Sequence, residues 1–276
     1  MGLALSSGKW CSTVLGAFAA SKRVSNVLVV AAVVLGPLCF AAAPDPASAV
    51  APVLNPEKEG QELAARLRSA TPSENSEFRG TLIIRQRGVE TNLVPIRSAI
   101  TVGRTNWQVT YETSSTGAIH AEKLVIIHTP SQTNEYLFTR AGAATNFFLP
   151  PQPVPVDKTG VPFAGSDFWL CDLGLEFLHW PEQRLLKHQM TRGRSCRVLE
   201  SLNPRPGTNR YVRVVSWIDV ETDGILRAEA YDASKTLLKE FFVGPVKKVN
   251  GQWQLQDMKM VSPKARRETE LRFDLK

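Results

Sequence analysis

From Glu77 to its end the chain is written in short runs rich in Val, Ile, Thr and aromatic residues, each closed by Gly, Pro, Asn or Asp. No other feature constrains the fold as much. Twelve runs read as strands: residues 78–87, 92–102, 106–113, 122–128 and 135–139, then 182–191, 195–202, 210–219, 225–233, 237–249 and 252–260, with a last one at 269–275. Turn signals stand at Gly88, Gly103-Arg104, Gly117, Thr129-Pro130, Arg192-Gly193, Pro206-Gly207, Thr222-Asp223-Gly224 and Asn250-Gly251. They make consecutive strands antiparallel neighbours, with Asn250-Gly251 the strongest hairpin signal. The expected architecture is mostly β, a meander with few helices.

Two segments break this period. Residues 57–70 carry Leu63 and Leu67 four apart with Ala64 and Ala65 beside them, acidic residues in the first half, Arg66 and Arg68 near the end and Pro72 beyond, which predicts an amphipathic helix. Between residues 141 and 165 the strand pattern stops, and Leu149-Pro150-Pro151-Gln152-Pro153-Val154-Pro155 fits neither a helix nor a central strand, so a long crossing loop is expected. Ser166 and Asp167 then stand ahead of an apolar run to Leu173 as cap residues would, predicting one or two helical turns. A sheet of a dozen strands must bury one face, and a large one does so by curling around something. Two helical pieces barely cover such a face, so an apolar groove between sheet and helices is expected.

The N-terminus points to export. Lys22 and Arg23 precede the uncharged run 27–43, and Ala47-Ser48-Ala49 supplies small residues before Val50, the parts of a secretory signal. The reading is a cleaved signal peptide over residues 1–49, a single domain over 50–276 and a periplasmic location; an uncleaved anchor is the rival. Cys11 and Cys39 leave with the signal, so Cys171 and Cys196 are the mature pair, either a disulfide or two small buried thiols. Loss of Lys9, Lys22 and Arg23 with Asp45 lowers the net charge from +7 to +5. With 43% hydrophobic and 21% charged residues, disorder is excluded.

Catalytic patterns are sparse. His120, His128, His179 and His188 show no metal-ligand spacing, and the chain has no nucleophile elbow, phosphate loop or dinucleotide fingerprint, so no cofactor and no metal are expected. Gly165-Ser166-Asp167 with His179 is the nearest thing to a hydrolase site, and capping explains Ser166 and Asp167 better. Arg184, Lys187, His188, Arg192, Arg194 and Arg197 cluster around one hairpin, and Lys264, Arg266 and Arg267 form a second group. They read mainly as solvated edges that blunt the sheet, with docking on anionic headgroups or an acidic partner as the functional alternative. Nucleic acid is not expected outside the cytoplasm.

The run Phe163-Ala164-Gly165-Ser166-Asp167-Phe168-Trp169-Leu170 with Asp172-Leu173 resembles a short block of the periplasmic LolA-like outer membrane lipoprotein-sorting proteins. Trp217-Ile218-Asp219, Leu226-Arg227-Ala228-Glu229-Ala230-Tyr231-Asp232, Leu237-Leu238-Lys239 and Gly251-Gln252-Trp253-Gln254 are similar to that family's strand pattern. The resemblance implies an open, incomplete antiparallel β-barrel with helices over its concave face, and an apolar cavity that shields acyl chains in transit. It implies a lipoprotein or lipid cargo, partner proteins at the inner and outer membranes, and an Arg governing release, for which Arg85, Arg87 and Arg97 are candidates. Trp107, Phe138, Phe168, Trp169, Trp217, Met258 and Met260 are the large apolar side chains expected to line the groove, ordinary core packing being the alternative for each. The function that follows is a non-enzymatic, monomeric carrier; a sensor or scaffold using the same groove for a partner protein is the second reading. Residues 165–173 are expected to act as a flap, with Pro162 and Gly165 as hinges.

Overall fold

The computed structural model describes residues 53–117, 119–141, 148–206, 211–249 and 252–275. The segment read as a secretory signal therefore lies outside the described residues, as do Asn250 and Gly251. Helix α1 (Pro56–Ser69) opens the fold. Its buried residues, Gly60, Leu63, Ala64 and Leu67, fall at i, i+3, i+4 and i+7, the stripe the sequence predicts. Five strands follow: β1 (Ser76–Gln86), β2 (Asn92–Val102), β3 (Trp107–Thr113), β4 (Glu122–His128) and β5 (Glu135–Arg140). The loop expected after them holds a short strand β6 (Gln152–Val154) that the sequence reading missed. It pairs with β5 alone, at the edge of the sheet, where Pro153 costs no ladder hydrogen bond.

The chain then crosses through a 3₁₀ turn (Val156–Lys158), helix α2 (Leu170–Leu173) and a second 3₁₀ turn (Glu176–His179). Strands β7 (Glu182–Thr191), β8 (Arg194–Leu202), β9 (Arg213–Asp219), β10 (Ile225–Tyr231) and β11 (Leu237–Val243) run back as a meander. The two long runs expected at 237–249 and 252–260 are each divided in two. At Gly244-Pro245 the chain leaves the sheet as a separate ribbon, β12 (Val246–Val249) paired with β13 (Gln252–Leu255), and returns as β14 (Asp257–Ser262). Two bonds close the base of the ribbon: Gly244 donates its N–H to Asp257 O, and Gln256 donates to Pro245 O, each at 2.9 Å. Pro245 has no N–H for a continuing ladder, and a Cβ on Gly244 would stand 2.0 Å from Asp257 Oδ1, so the break is fixed by this dipeptide. Strand β15 (Arg267–Phe273) ends the fold.

Among the described residues thirteen strands form one antiparallel sheet in the order β6-β5-β4-β3-β2-β1-β15-β14-β11-β10-β9-β8-β7. The last strand closes on the first through a register in which Leu82 faces Leu271, joining two meanders into one surface. Since β6 and β7 are opposite edges, the segment between them has to traverse the whole sheet, which puts α2 and the second 3₁₀ turn across one face as a lid. Beside them lies α1, so close to β7 that a Cβ on Gly60 would sit 2.6 Å from Arg184 Cα. The sheet is not closed into a barrel, but it is curled. Flat strands at about 4.8 Å spacing would separate β3 from β10 by roughly 29 Å, yet Val109 and Ile225 line the same cleft.

Candidate functional site: the apolar trough beneath the lid

Alternation along each strand sorts the side chains onto two faces. The lid face holds one large core that includes Leu82, Val94, Ile100, Val109, Leu124, Ile218 and Leu271, together with Leu63 and Leu67 from α1 and Leu170, Leu173 and Leu178 from the lid. A second, small cluster of Cys196, Val198, Val215 and Trp217 lies on the opposite face.

Two clefts remain between sheet and lid. The first is bounded by Leu67, Ile100, Trp107, Val109, Tyr111 and Leu178 and ends in Arg68, His128, Gln132 and His179. The second lies among Phe168, Phe177, Val214, Phe241, Met258 and Met260. Leu173, Leu175 and Ile225 line both, so the two are lobes of a single trough divided by lid side chains. In each lobe only about 50 Å³ is wide enough for a water-sized sphere. The lid fills the trough.

The expected groove residues divide accordingly. Trp107 lines the first lobe and stacks on His128 at 3.9 Å between ring centroids; Phe168, Met258 and Met260 line the second. Phe138 packs at the margin of the main core. Trp169 stacks on Tyr211 at 4.9 Å and caps the Lys239 ammonium, 3.6 Å from its ring centre. Trp217 is a correction. It lies on the opposite face, under the Arg227 guanidinium at 4.8 Å, because β9 is buried on both sides and alternation gives Val214, Ser216 and Ile218 to the lid face. Cys171 packs against the main core and Cys196 sits in the opposite cluster, so the sheet separates the sulfurs and leaves no route to a disulfide.

Polar side chains pin the lid to the sheet, and sequence reasoning missed most of them. Asp167, 1% exposed, accepts from Ser262 Oγ at 2.6 Å, Thr269 Oγ1 at 2.8 Å and Arg267 Nε at 2.9 Å. It is an anchor to β14 and β15 and not the expected cap: the helix begins later, where Asp172 accepts the Trp169 N–H at 2.8 Å. Ser166 Oγ turns back to the Phe168 N–H at 3.1 Å, which with the Asp167 contacts leaves no Ser-His-Asp arrangement with His179. Ala164 and Gly165 take φ of +50° and +65°, a reversal that lets Ala164 donate its N–H to buried Glu122, itself held by Arg140 Nε at 2.8 Å. Lys239, 4% exposed, bonds Asp172 at 3.2 Å and Asp167 O; burial lowers its pKa while Asp172 opposes the shift. At the far end Tyr136 donates to Glu176 at 2.8 Å and Asn134 to Gly174 O at 2.7 Å. Burial pushes the Glu176 carboxyl up to about 7, against the pull of its own side-chain hydrogen bonds with Tyr136 and Asn134.

None of the three arginines considered for a release role enters the trough. Arg85 pairs with Glu268 and Glu270, and Arg97 with Glu77; both alternate to the face away from Leu82, Ile84, Val94 and Ile96, and Arg87 lies past the end of β1. Parity along β11 could have found the buried cation: Lys239 shares a face with Phe241 and Val243. The basic hairpin is largely neutralised within the chain, Arg184 by Glu57, Arg194 by Asp219 and Glu221, and Arg197 by Asp223. Among the described residues no cluster of His, Cys, Asp or Glu could hold a metal ion, and no helix is long and apolar enough to cross a membrane.

A family model described only as "Uncharacterized protein" matches residues 147–275, and no curated protein matches the chain. Solved structures do. A DUF1329 family protein from Desulfovibrio piger ATCC 29098 superposes with a TM-score of 0.64 at 18% identity, over 80% of this chain and 92% of that one. A domain assigned to the outer membrane lipoprotein-sorting proteins, from Vibrio parahaemolyticus, gives 0.61 at 21% identity over 79% and 92%. A LolA superfamily protein from Nitrosomonas europaea gives 0.52 at 14% identity over 79% and 91%. The fold is LolA-like. The open sheet expected from the resemblance in the sequence is thus the observed one, and the lid segment coincides with the residues that carried that resemblance.

Proposed function

We propose that this protein is a periplasmic carrier that takes acyl chains of lipoproteins or lipids into the trough and shields them during transfer to the outer membrane. The observation that carries the reading is the two-lobed apolar trough, lined by strands from both halves of the sheet and roofed by a lid whose own apolar side chains occupy it. Such a site does no covalent chemistry. It exchanges one apolar filling for another: Leu173, Leu175, Phe177 and Leu178 hold the place that a chain would take. Burying a methylene is worth about 0.8 kcal/mol, so a chain of roughly 15 methylenes gains about 12 kcal/mol, enough to offset the contacts an opening lid gives up.

Residues 163–167 are fixed to β4, β14 and β15 through Glu122, Arg267, Ser262 and Thr269, and residues 170–179 are tied through Asp172 to Lys239 and Tyr211, through Gly174 O to Asn134, through Glu176 to Tyr136, through Phe177 O to Gln183 and through Leu178 O to Arg68. Export from the cytoplasm and a monomeric state belong to this reading. Titration with a fluorescent acyl probe tests it: saturable uptake into wild-type protein, weakened by Met258→Asp in the second lobe, is expected. A folded wild-type protein that takes up no probe would overturn the carrier and favour a scaffold that binds a partner protein.

A further inference from the structure

The mouth of the first lobe differs from the rest of the trough. Arg68, at the end of α1, donates to Leu178 O and forms no ion pair among the described residues. His179, from the lid, and His128, at the end of β4, line the same mouth; burial first, and the Arg68 charge second, lowers the His179 pKa, while burial first and His179 second lowers that of His128. No carboxylate contributes to either shift. Thr129, Ser131, Gln132 and Asn134 complete the rim. An apolar lobe thus opens onto one guanidinium without a carboxylate partner and two imidazoles, of which His128 already hydrogen-bonds Asn134.

From this geometry we infer that the first lobe binds an anionic acyl lipid, its phosphate held among Arg68, His128 and His179 and its chain running past Trp107 and Val109 beneath the lid. The inference rests on the carrier reading and deepens it by naming the headgroup. The Arg68 guanidinium and the His179 imidazole offer N–H groups to phosphate oxygens, with His128 beside them, and Arg68 alone supplies permanent charge. A zwitterionic headgroup of the same chain length would bring a trimethylammonium toward Arg68 and lose affinity.

The test compares two single-chain lipids of equal length, lysophosphatidic acid and lysophosphatidylcholine, and inorganic phosphate, by calorimetric titration of the full mature chain below micellar concentration. The expected result is tighter binding of lysophosphatidic acid than of lysophosphatidylcholine by at least about ten-fold, the worth of one charge-assisted contact. Arg68→Gln should abolish that preference and Arg68→Lys should retain most of it, with melting curves showing both variants folded. Equal affinity for the two lipids in wild-type protein overturns the headgroup assignment and leaves the carrier standing. Binding of neither lipid overturns both. Inorganic phosphate that binds as tightly as lysophosphatidic acid overturns the lipid assignment in favour of a free-phosphate site.

Discussion

Replacing Glu176 with Gln should make the protein more stable at pH 8, relative to wild type, than at pH 5. Glu176 is 5% exposed beneath the lid, and its carboxyl is raised from the usual 4.5 to about 7 by burial, while hydrogen bonds from Tyr136 and Asn134 pull it down. Below pH 4.5 the group is protonated whether the chain is folded or not. As pH rises the unfolded carboxyl ionises first, and above pH 7 the folded state carries a buried charge, so stability is lost across that window. A rise from 4.5 to about 7 corresponds to about 3 kcal/mol in full, of which about 2 to 3 kcal/mol falls between pH 5 and 8. Gln keeps a carbonyl to accept the Tyr136 hydroxyl and does not ionise. His128 and His179, both lowered to about 4 by burial first and neighbouring positive charge second, act in the opposite sense, stabilising above pH 6.5 and losing that contribution as pH falls through 4. They are present in both proteins and cancel in the comparison. Urea titrations of wild type and Glu176→Gln at pH 5, 6, 7 and 8 measure the difference directly. A variant-minus-wild-type stability that stays flat across that range would refute the buried carboxyl and its place under the lid.

Other perturbations separate the trough from the scaffold. Trp217→Ala should cost about 3–5 kcal/mol in a urea titration, as large aromatics do, and leave acyl-probe affinity of the folded protein unchanged, since the ring lies on the far face. Trp169→Ala removes a ring that packs on Lys239 and Tyr211 from outside the lobes and lines neither of them, so probe affinity should fall only in step with unfolding on the melting curve. Asp167→Ala strands Arg267, Ser262 and Thr269 and should cost about 3–5 kcal/mol by urea titration; stability within 1 kcal/mol of wild type would show that the anchor is not made.

Much of this fold was legible because its signals are local. The stripe of α1 and the turns at Gly88, Gly193 and Asp223-Gly224 follow from spacing and from residues that tolerate positive φ. What failed did so for tertiary reasons. Strand β6 runs through Pro153, which only an edge permits, and edges are not visible before the strand order is known. The face of Trp217 was hidden because every residue of β9 after Arg213 is buried, so the two-residue period that assigns faces vanishes there. Asp167 looked like a cap because Asp before an apolar run usually is one; its real partners lie about a hundred residues away on β14 and β15, brought near only by the joining of β1 to β15. Lys239 sat in a strand whose parity placed it inward, but a charge at an inward position is intelligible only once Asp172 is seen to descend onto it from the lid.

Native mass spectrometry of the protein, expressed from the full sequence in an outer-membrane-bearing host and purified without detergent, bears most directly on the carrier. The account predicts a population heavier than the polypeptide by the mass of an acyl lipid, released by organic extraction and displaced by an acyl probe. A preparation that is folded by its melting curve, has only the polypeptide mass, and neither retains nor takes up acyl lipid would contradict it.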